Sequence, residues 1–415
     1  MKSAPIMYGE GDYSPNTIMS SVSSEPQPQG TGLPNIVPTN SSTMCSNEYC
    51  VSDEDYIEMI EAYIFPSPYE WLLIALHMTV FFVGLIGNAL VCISVYRNHS
   101  MRTVTNYFIV NLAVADFLVI LFCLPPSVLW DVTETWFFGS LMCKLVLYLQ
   151  SVSVSVSVLT LTFISIDRWY AICHPLKFKS TASRAKKAII IIWVTSLLLV
   201  LPDALVMDTR RSSALRVETH YFTDCTYTWS NHYTKIYQLL IVFFLYFFPF
   251  LFMSFFYYQI VKVLWNRNIP GSAEVNSRQI RTAVVKSSGN GAISLTSATA
   301  TSSSSSAGIE TQIRSRRKAA KMIISVVVLF GLCYMPVHLI NTLRYTTGLP
   351  QTQLTTVVSL ISHWLCYANS AVNPIIYNFM NGKFRREFRK SFCYLCTTEV
   401  ETPTPTAMTQ TLKGV

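Results

Sequence analysis

Seven long stretches of the 415-residue chain contain almost no charged side chains. They run near residues 71–96, 106–130, 145–166, 188–201, 236–260, 322–343 and 354–379. Crossing the roughly 30 Å hydrocarbon core of a bilayer takes about 20 apolar residues in a helix. With 51% hydrophobic and 13% charged residues, the chain is also too apolar for an ordinary soluble domain. The sequence therefore predicts an all-α membrane protein, a bundle of seven transmembrane helices.

The third stretch carries a pattern that is typical of a different structure. Residues 151–158 alternate strictly between Ser and Val, and a period of two indicates a half-buried strand. The uncharged run from Lys144 to Asp167 is, however, far longer than an ordinary strand. Within a bilayer, small hydroxyl groups can bond back to helix carbonyls, and their size lets neighbouring helices approach closely. We interpret the alternation as a central transmembrane helix.

The distribution of charge predicts the orientation of the bundle. Lys and Arg gather after the first, third, fifth and seventh stretches, whereas acidic residues dominate the alternate segments. By the positive-inside rule, the N-terminus is extracellular and the C-terminus cytoplasmic. We expect a multi-pass protein of the plasma membrane. The net charge of +8 is then a cytoplasmic surplus in contact with membrane lipid, and no nucleic-acid partner is expected.

Composition divides the chain into five parts. They are a disordered extracellular tail (1–52), an extracellular amphipathic helix (53–68), the bundle (69–380) with a flexible cytoplasmic loop at about 266–311, an amphipathic eighth helix (381–396) and a cytoplasmic tail (397–415). Asn40 begins an N-x-S sequon and is predicted to be glycosylated. An interfacial helix with no role in ligand binding remains an alternative for 53–68.

The cysteines predict one disulfide and one lipid anchor. Cys143 stands at the outer end of the third helix and Cys225 in the outer loop after the fourth, so a bond between them would tie this loop to the bundle. Cys45 and Cys50 form either a second small loop or free or mispaired thiols. Cys393 and Cys396 follow a basic amphipathic segment and suit S-palmitoylation.

Asp116 is the one carboxylate inside the second stretch, where a charge is costly and usually functional. Its expected neighbours at the same depth are polar: Asn88, Ser157, Asn369, Ser370 and Asn373. A carboxylate with hydroxyl and amide oxygens suits a hard cation, and we predict an allosteric sodium ion. A network of hydrogen bonds and water without an ion is the alternative. No other cofactor is predicted.

The cytoplasmic ends of the helices suggest a switch. Arg168 closes the third helix beside Asp167, a carboxylate that could restrain it. Pro249, Pro336 and Pro374 are predicted to interrupt the fifth, sixth and seventh helices and to create places where these helices bend.

Several short motifs now stand in a definite order along the chain. They are Asn88 after Gly87, LAVAD at 112–116, Asp167-Arg168-Trp169, Trp193, Pro249 with Tyr257, FGLCYMPV at 330–337 and NPIIYNF at 373–379. Each motif is weak alone, but the ordered set resembles the rhodopsin-like (class A) G-protein-coupled receptors over the whole bundle.

Within that family, longer segments resemble the orexin receptors and especially the invertebrate allatotropin receptors. The segments are YEWLLIA from Tyr69, CLPPSVLWDVTETWFFG from Cys123, YLQSVSVSVSVLTL from Tyr148, DRWYAICHPLKFKSTA from Asp167, RRKAAKM from Arg316 and SHWLCYANSAVNPIIYNF from Ser362. The resemblance implies a neuropeptide receptor, for an allatotropin-type or alternatively an orexin-type peptide. It further implies a heterotrimeric G protein of the calcium-mobilising type, with arrestin and receptor kinases as additional partners.

The resemblance also assigns roles to individual residues. The implied peptide pocket comprises Asp131, Gln150, Tyr237, Asn341, His363 and Tyr367. The implied switch for G-protein coupling comprises Asp167, Arg168, Trp169, Tyr257, Tyr334, Pro336, Asn373, Pro374 and Tyr377. The sodium site would use Asp116, Ser157, Asn369, Ser370 and Asn373.

Two positions depart from the common family pattern. Tyr334 replaces the usual Trp before the proline of the sixth helix, as it does in orexin-type receptors, and Arg316 replaces a common acidic partner of Arg168. The second departure predicts ligand-free signalling. Gln150 lacks the carboxylate that an amine receptor needs, and no enzyme motif is present. A seven-helix transporter or channel remains the alternative from another class.

Overall fold

The computed structural model describes residues 50–174, 181–212, 215, 217–265, 298–350 and 352–397, with only the backbone for 298–313, 353 and 392–397. Asn40 and Cys45 lie outside these residues, as do most of the two predicted tails and the side chains of Cys393 and Cys396. Glycosylation and palmitoylation therefore stay predictions. Cys50 takes part in a disulfide.

The described chain is a bundle of helices with one small sheet. The helices are α1 (Asp53–Ile64), α2 (Pro68–Arg97), α3 (Val104–Phe122), α4 (Leu124–Thr133), α5 (Gly139–Cys173), α6 (Ala182–Leu199), α7 (Leu201–Val206), α8 (Asn231–Val242), α9 (Phe248–Trp265), α10 (Ala298–Thr347), α11 (Gln353–Met380) and α12 (Gly382–Thr397). The strands are β1 (Met207–Arg211) and β2 (Thr223–Tyr227), which pair in antiparallel fashion.

Six helical segments of the described chain are long and apolar enough to cross a membrane. They are Pro68–Arg97, Val104–Phe122, Gly139–Cys173, Ala182–Val206, Asn231–Trp265 and Arg314–Thr347. The remaining long helix, α11, also lacks charged residues but is more polar, with His363, Asn369, Ser370 and Asn373 along its length. The predicted all-α, membrane-embedded fold class is confirmed, and the Ser/Val alternation lies inside α5.

Prolines divide two helices that were predicted as single elements. The second stretch breaks at Cys123, and α4 begins with Pro125 and Pro126 in its first turn. The fourth stretch breaks at Val200, and α7 begins with Pro202. A proline lacks the N–H that a continuous helix needs from it, but it fits the first turn, where that group has no partner within the helix.

The other membrane prolines act differently from the prediction. Pro336 and Pro374 lie inside α10 and α11, which continue through them. In the fifth membrane segment, the irregular turn is the π-helical Phe243–Phe247, which precedes Pro249 and joins α8 to α9. A π turn widens the helix and redirects the side chains that follow it.

The start of α10 corrects the predicted loop at 266–311. Because α10 begins at Ala298, residues 298–311 are helical rather than irregular. Extending an existing helix costs far less than nucleating one, so a polar segment beside a stable membrane helix can continue it. Where α10 passes the end of α9, Arg317 Nε donates to the carbonyl of Leu264 at 2.9 Å and joins the two helices.

The small sheet lies across one end of the bundle, which we call the hairpin face (β1 and β2). The predicted disulfide between Cys143 of α5 and Cys225 of β2 is confirmed. The backbone N–H of Trp136 also donates to the carbonyl of Thr223 at 2.7 Å. The hairpin is thus attached to the bundle by covalent and hydrogen bonds.

Helix α1 packs at the same hairpin face. Tyr56 and Ile60 of its apolar stripe are buried. Tyr221 donates a hydrogen bond to Glu61 at 2.8 Å, and the rings of Tyr63 and Phe222 are 6.0 Å apart. At the opposite end, which we call the basic face (Arg168 and α12), α12 buries Phe384 and Phe388.

Candidate functional site

A cavity of about 270 Å³ lies between the membrane helices and the hairpin. Its lining includes Met207 and Tyr227 from the hairpin and residues from helices far apart in the sequence. Gln150 and Ser151 of α5, Asn341 of α10 and His363 of α11 add polar groups. A concave site with a few convergent polar groups is typical of ligand binding.

Five of the six residues predicted for the pocket line this cavity: Asp131, Gln150, Asn341, His363 and Tyr367. Tyr237 does not belong to the lining. Its ring packs against Tyr227 and Trp229, with centroids 6.0 and 5.4 Å away. Tyr237 therefore packs on the hairpin, and its hydroxyl interacts with Asp203, a residue of the cavity lining.

Two polar contacts connect α11 to α4 across the cavity. His363 Nδ1 lies 3.0 Å from Asp131 Oδ1, and the Tyr367 hydroxyl donates to Ser127 Oγ at 2.8 Å. The Asp131 side chain is only 6% exposed, so its carboxylate is largely removed from water. His363 supplies the polar partner that such a buried carboxylate needs. These bonds position the ends of the two helices against each other.

The lining also contains polar residues that the sequence analysis missed. They are Ser127, Ser151, Asp203, Gln238, His338 and Arg344. One signal was available for Asp203, because it directly follows the uncharged fourth stretch. No sequence pattern brings Gln238 or Arg344 to the same cavity as Asp203, because the three residues lie on α8, α10 and α7.

Asp116 is deeply buried in the core of the bundle. Asn373 Nδ2 donates to its Oδ2 at 2.8 Å, and the Ser370 side chain also bonds to it. Asn88 Nδ2 donates to the Ser370 carbonyl at 3.0 Å. Among the described residues, Asn88 Oδ1 is buried without a hydrogen-bond partner. Ser157 and Asn369, also predicted for this site, are each 3% exposed.

Four of the predicted switch residues lie toward the basic face: Asp167, Arg168, Trp169 and Tyr257. Arg168 forms an ion pair with Asp167, and Trp169 Nε1 donates to Gln259 Oε1 of α9 at 2.6 Å. The hydroxyl of Tyr257 lies near Arg168. These contacts connect the end of α5 to α9.

The remaining switch residues lie on α10 and α11. Tyr334 stacks on Phe330, with ring centroids 4.6 Å apart. It also lines the cavity, about one helical turn before His338. Tyr377 packs against Phe384 of α12 at 5.7 Å. Pro336 lies in α10 and Pro374 in α11. These two helices extend from the cavity toward the basic face.

A second cavity, of about 840 Å³, opens at the basic face. Its basic lining residues are Arg168, Lys318, Lys383, Arg385, Arg386, Arg389 and Lys390. Such a surface attracts acidic partners or anionic lipid.

The order of these features agrees with comparisons with known proteins. The family described as "7 transmembrane receptor (rhodopsin family)" matches residues 87–377, which include Asp116, Arg168 and Pro374. The chain belongs to this family. It is accordingly a class A G-protein-coupled receptor, and not an enzyme.

One relative extends the comparison beyond the family. The receptor is similar to a "QRFP-like peptide receptor" of Branchiostoma floridae, with 29% identity over 315 residues. The aligned region covers 75% of this receptor and 75% of the relative.

The hairpin of the receptor contains a group whose charge should change near neutral pH. Burial raises the pKa of Asp224 to about 7, against roughly 3.9 in an unfolded chain. Between these values the folded receptor binds a proton that the unfolded chain has lost, so stability falls as pH rises. We expect the Tm of purified receptor to fall by a few degrees between about pH 5 and 8, and Asp224→Asn to remove most of this fall.

Asp208 provides the matched control on the same hairpin. Its pKa is lowered, first by a hydrogen bond from Ser140, so it stays ionised throughout that pH range. Asp208→Asn should leave the slope of Tm against pH unchanged. An equal slope in wild type and Asp224→Asn would contradict the assignment to Asp224.

Proposed function

We propose that this receptor is a cell-surface neuropeptide receptor that transmits peptide binding outside the cell to a G protein inside. The cavity at the hairpin face carries the proposal, because polar groups from α4, α5, α10 and α11 converge there. The Branchiostoma relative is named as a peptide receptor, which supports a peptide as the ligand. An allatotropin-type peptide is the first candidate, and an orexin-type peptide is the alternative.

The proposal includes an orientation in the plasma membrane. The basic face would be cytoplasmic, where it would meet the G protein and anionic lipid, and the hairpin face extracellular. The positive-inside rule supports this orientation. An epitope tag at the N-terminus should be labelled on intact cells, and one at the C-terminus only after permeabilisation.

In the proposed mechanism, the peptide binds more tightly to the active conformation and increases its population. In that conformation the basic-face ends of α9 and α10 separate from the rest of the bundle. Arg168 would then leave Asp167 and contact Tyr257 and a helix of the G protein. A calcium-mobilising G protein is proposed, with arrestin and receptor kinases as later partners.

Intracellular calcium in cells that express the receptor tests the ligand assignment. The cells receive graded amounts of amidated allatotropin-type, orexin-type or QRFP-type peptide, and we expect the first to act at the lowest concentration. Gln150→Ala should raise the required concentration at least tenfold, because Gln150 lines the cavity. Leu149→Ala is the control, since the adjacent Leu149 is 40% exposed on the outside of the bundle.

The possible outcomes separate the parts of this proposal. A stronger response to the orexin-type or QRFP-type peptide would replace the allatotropin assignment but keep the peptide-receptor class. No response to any peptide, with receptor shown at the cell surface, would remove the ligand assignment. An equal effect of Leu149→Ala and Gln150→Ala would contradict the proposed pocket.

We also propose that Asp116 helps to hold a sodium ion that favours the resting conformation. The surrounding side chains fit a hard cation, because Asn88 Oδ1 is a buried oxygen without a partner among the described residues. Ser370 and Asn373 would complete the site with Asp116, and Ser157 and Asn369 would lie around it. When bound, the ion would supply positive charge to an otherwise isolated carboxylate. A water network is the competing interpretation.

Binding of radiolabelled agonist checks the sodium site. Raising sodium, at constant ionic strength maintained with N-methyl-D-glucamine, should weaken agonist binding about fivefold or more, and agonist should weaken sodium binding by the same factor. Asp116→Asn should abolish the effect, while Asp208→Asn at the hairpin surface should preserve it. Sodium sensitivity that persists in Asp116→Asn would support the water network.

The receptor is expected to signal without ligand, because Arg316 stands where a carboxylate could pair with Arg168. Arg316 is exposed and forms no salt bridge within the described part of α10, so it cannot hold Arg168 in the resting state. Arg316→Glu should lower ligand-free nucleotide exchange severalfold, because a carboxylate there could pair with Arg168. Arg314→Glu makes the same charge change at an exposed neighbour and should have little effect. Equal basal activity in wild type and Arg316→Glu would refute the expectation.

A further inference from the structure

Asp203 is a buried carboxylate on the wall of the cavity. It lies on the short helix α7, is 5% exposed and belongs to the lining. The Tyr227 hydroxyl donates to its Oδ1 at 3.1 Å, and Gln238 Nε2 donates to the Tyr227 hydroxyl at 3.0 Å. The hydroxyls of Ser151 and Tyr237 also interact with the carboxylate. This neutral network fixes the direction of the Asp203 side chain.

The two carboxylates of the lining differ in their partners. Asp131 lies 3.0 Å from His363 Nδ1, a group that can carry positive charge. Asp203, in contrast, has no salt bridge to any basic residue in the described parts of the chain, and its hydrogen-bond partners there are hydroxyl groups. Arg344, the basic residue of the lining, instead donates to Ser359 Oγ at 3.2 Å.

An ionised carboxylate that is removed from water normally requires a cation close by. Hydroxyl donors satisfy its hydrogen bonds but leave its net charge uncompensated. Asp203 lines the cavity and is otherwise buried, so a cation can reach it from the cavity. The missing counter-charge would therefore arrive with a ligand.

We propose that Asp203 binds a guanidinium group of the ligand, the side chain of an arginine. This proposal rests on the proposed function, in which the cavity binds a peptide. A guanidinium group presents several N–H donors in one plane and can bind a carboxylate through two parallel hydrogen bonds. Gln150 and Ser151 also line the cavity and would offer acceptors to the remaining donors of the guanidinium group. A lysine ammonium group would satisfy the charge but fewer of these acceptors.

Peptide analogues test this assignment. Each active peptide is compared with analogues in which citrulline replaces one arginine, which removes the charge but preserves most of the shape. For the arginine that binds Asp203, the exchange should raise the half-maximal concentration at least tenfold in wild type. In the Asp203→Asn receptor, the half-maximal concentration of the parent peptide should rise by a similar factor. The parent peptide and the citrulline analogue should then have equal half-maximal concentrations.

Two further variants keep this test decisive. Asp203→Glu retains the charge and should still discriminate arginine from citrulline. It therefore shows whether a loss of peptide potency in Asp203→Asn results from the missing charge or from misfolding. Asp208→Asn removes a carboxylate of the hairpin that does not line the cavity and should behave as wild type. Full discrimination by a folded Asp203→Asn receptor would overturn the proposal.

A second measurement does not require the natural peptide. Thermal unfolding of the purified full-length receptor is followed with argininamide and, separately, with citrullinamide, its uncharged counterpart. Argininamide should raise the Tm of wild type but not of Asp203→Asn, and citrullinamide should raise neither. If no peptide gives a calcium response but argininamide raises the Tm of wild type alone, the ligand assignment is rejected and the guanidinium site is retained. Equal effects of argininamide on both receptors would reject the site itself.

Discussion

Replacing Cys143 and Cys225 together by serine is expected to abolish the peptide response and to lower the stability of the receptor more than any other change considered. The disulfide joins residues that are 82 positions apart. A cross-link that closes a loop of this length lowers the conformational entropy of the unfolded chain. In the chain-entropy model this raises the free energy of unfolding by about 4–5 kcal/mol.

The functional part of this loss follows from the position of β2. Cys225 lies two residues before Tyr227, which lines the cavity and donates to Asp203. Without the covalent attachment, the hairpin would no longer fix Tyr227 or Met207 against α5. Both the shape of the cavity and the direction of the Asp203 carboxylate would then vary.

Thermal unfolding of purified receptor and the calcium response at equal surface expression measure the two effects. Cys92→Ser is the matched control, because Cys92 forms no disulfide. It should leave both quantities near wild type. A double serine variant with wild-type Tm and full peptide response would show that the hydrogen bonds of the hairpin suffice to hold it.

Gly87→Val is expected to produce the second large loss of stability. A Cβ at residue 87 would lie 2.9 Å from both Cβ and Cγ of Pro374, which is closer than real Cβ atoms approach. The proline ring is rigid and cannot rotate away, so α2 and α11 would have to separate. Overpacking of this kind costs about 1–3 kcal/mol, occasionally more.

The same substitution should reach the core polar cluster. Pro374 adjoins Asn373, whose amide donates to Asp116 at 2.8 Å. A displaced α11 would lengthen this bond, so we expect Gly87→Val to lower Tm and also to reduce sodium sensitivity where wild type shows it. Surface expression should fall in parallel.

Gly382→Val provides a control in a helix where space is available. A Cβ there would meet only Arg385 Nη2, at 3.9 Å, the end of a flexible side chain. Its Tm should stay close to that of wild type. If Gly87→Val and Gly382→Val have equal Tm values, close packing of α2 on Pro374 is not what stabilises this pair of helices.

Helix positions were predictable to different degrees. Long uncharged runs identified the membrane segments, because a bilayer requires apolar side chains and satisfied backbone groups throughout. The break at Cys123 was missed, although two prolines follow it, and the short helix α7 beyond the predicted end of the fourth stretch was not foreseen. A proline in a membrane helix can be accommodated inside it, as Pro336 and Pro374 are, or can begin a new helix, as Pro125 and Pro202 do. Local sequence does not distinguish these outcomes.

Residue types and their spacing were sufficient to predict the membrane-embedded helical bundle, the attachment of Cys225 to Cys143 and the isolated position of Asp116 between apolar residues. These features depend on composition, length and residue type along one segment. The packing of helices against one another sets Tyr237 on Trp229 outside the cavity lining, and places Asp203 in the lining with neutral partners while Asp131 meets His363. The reason is that each of these contacts joins different helices, and the rotation of one helix against another depends on packing over their whole length.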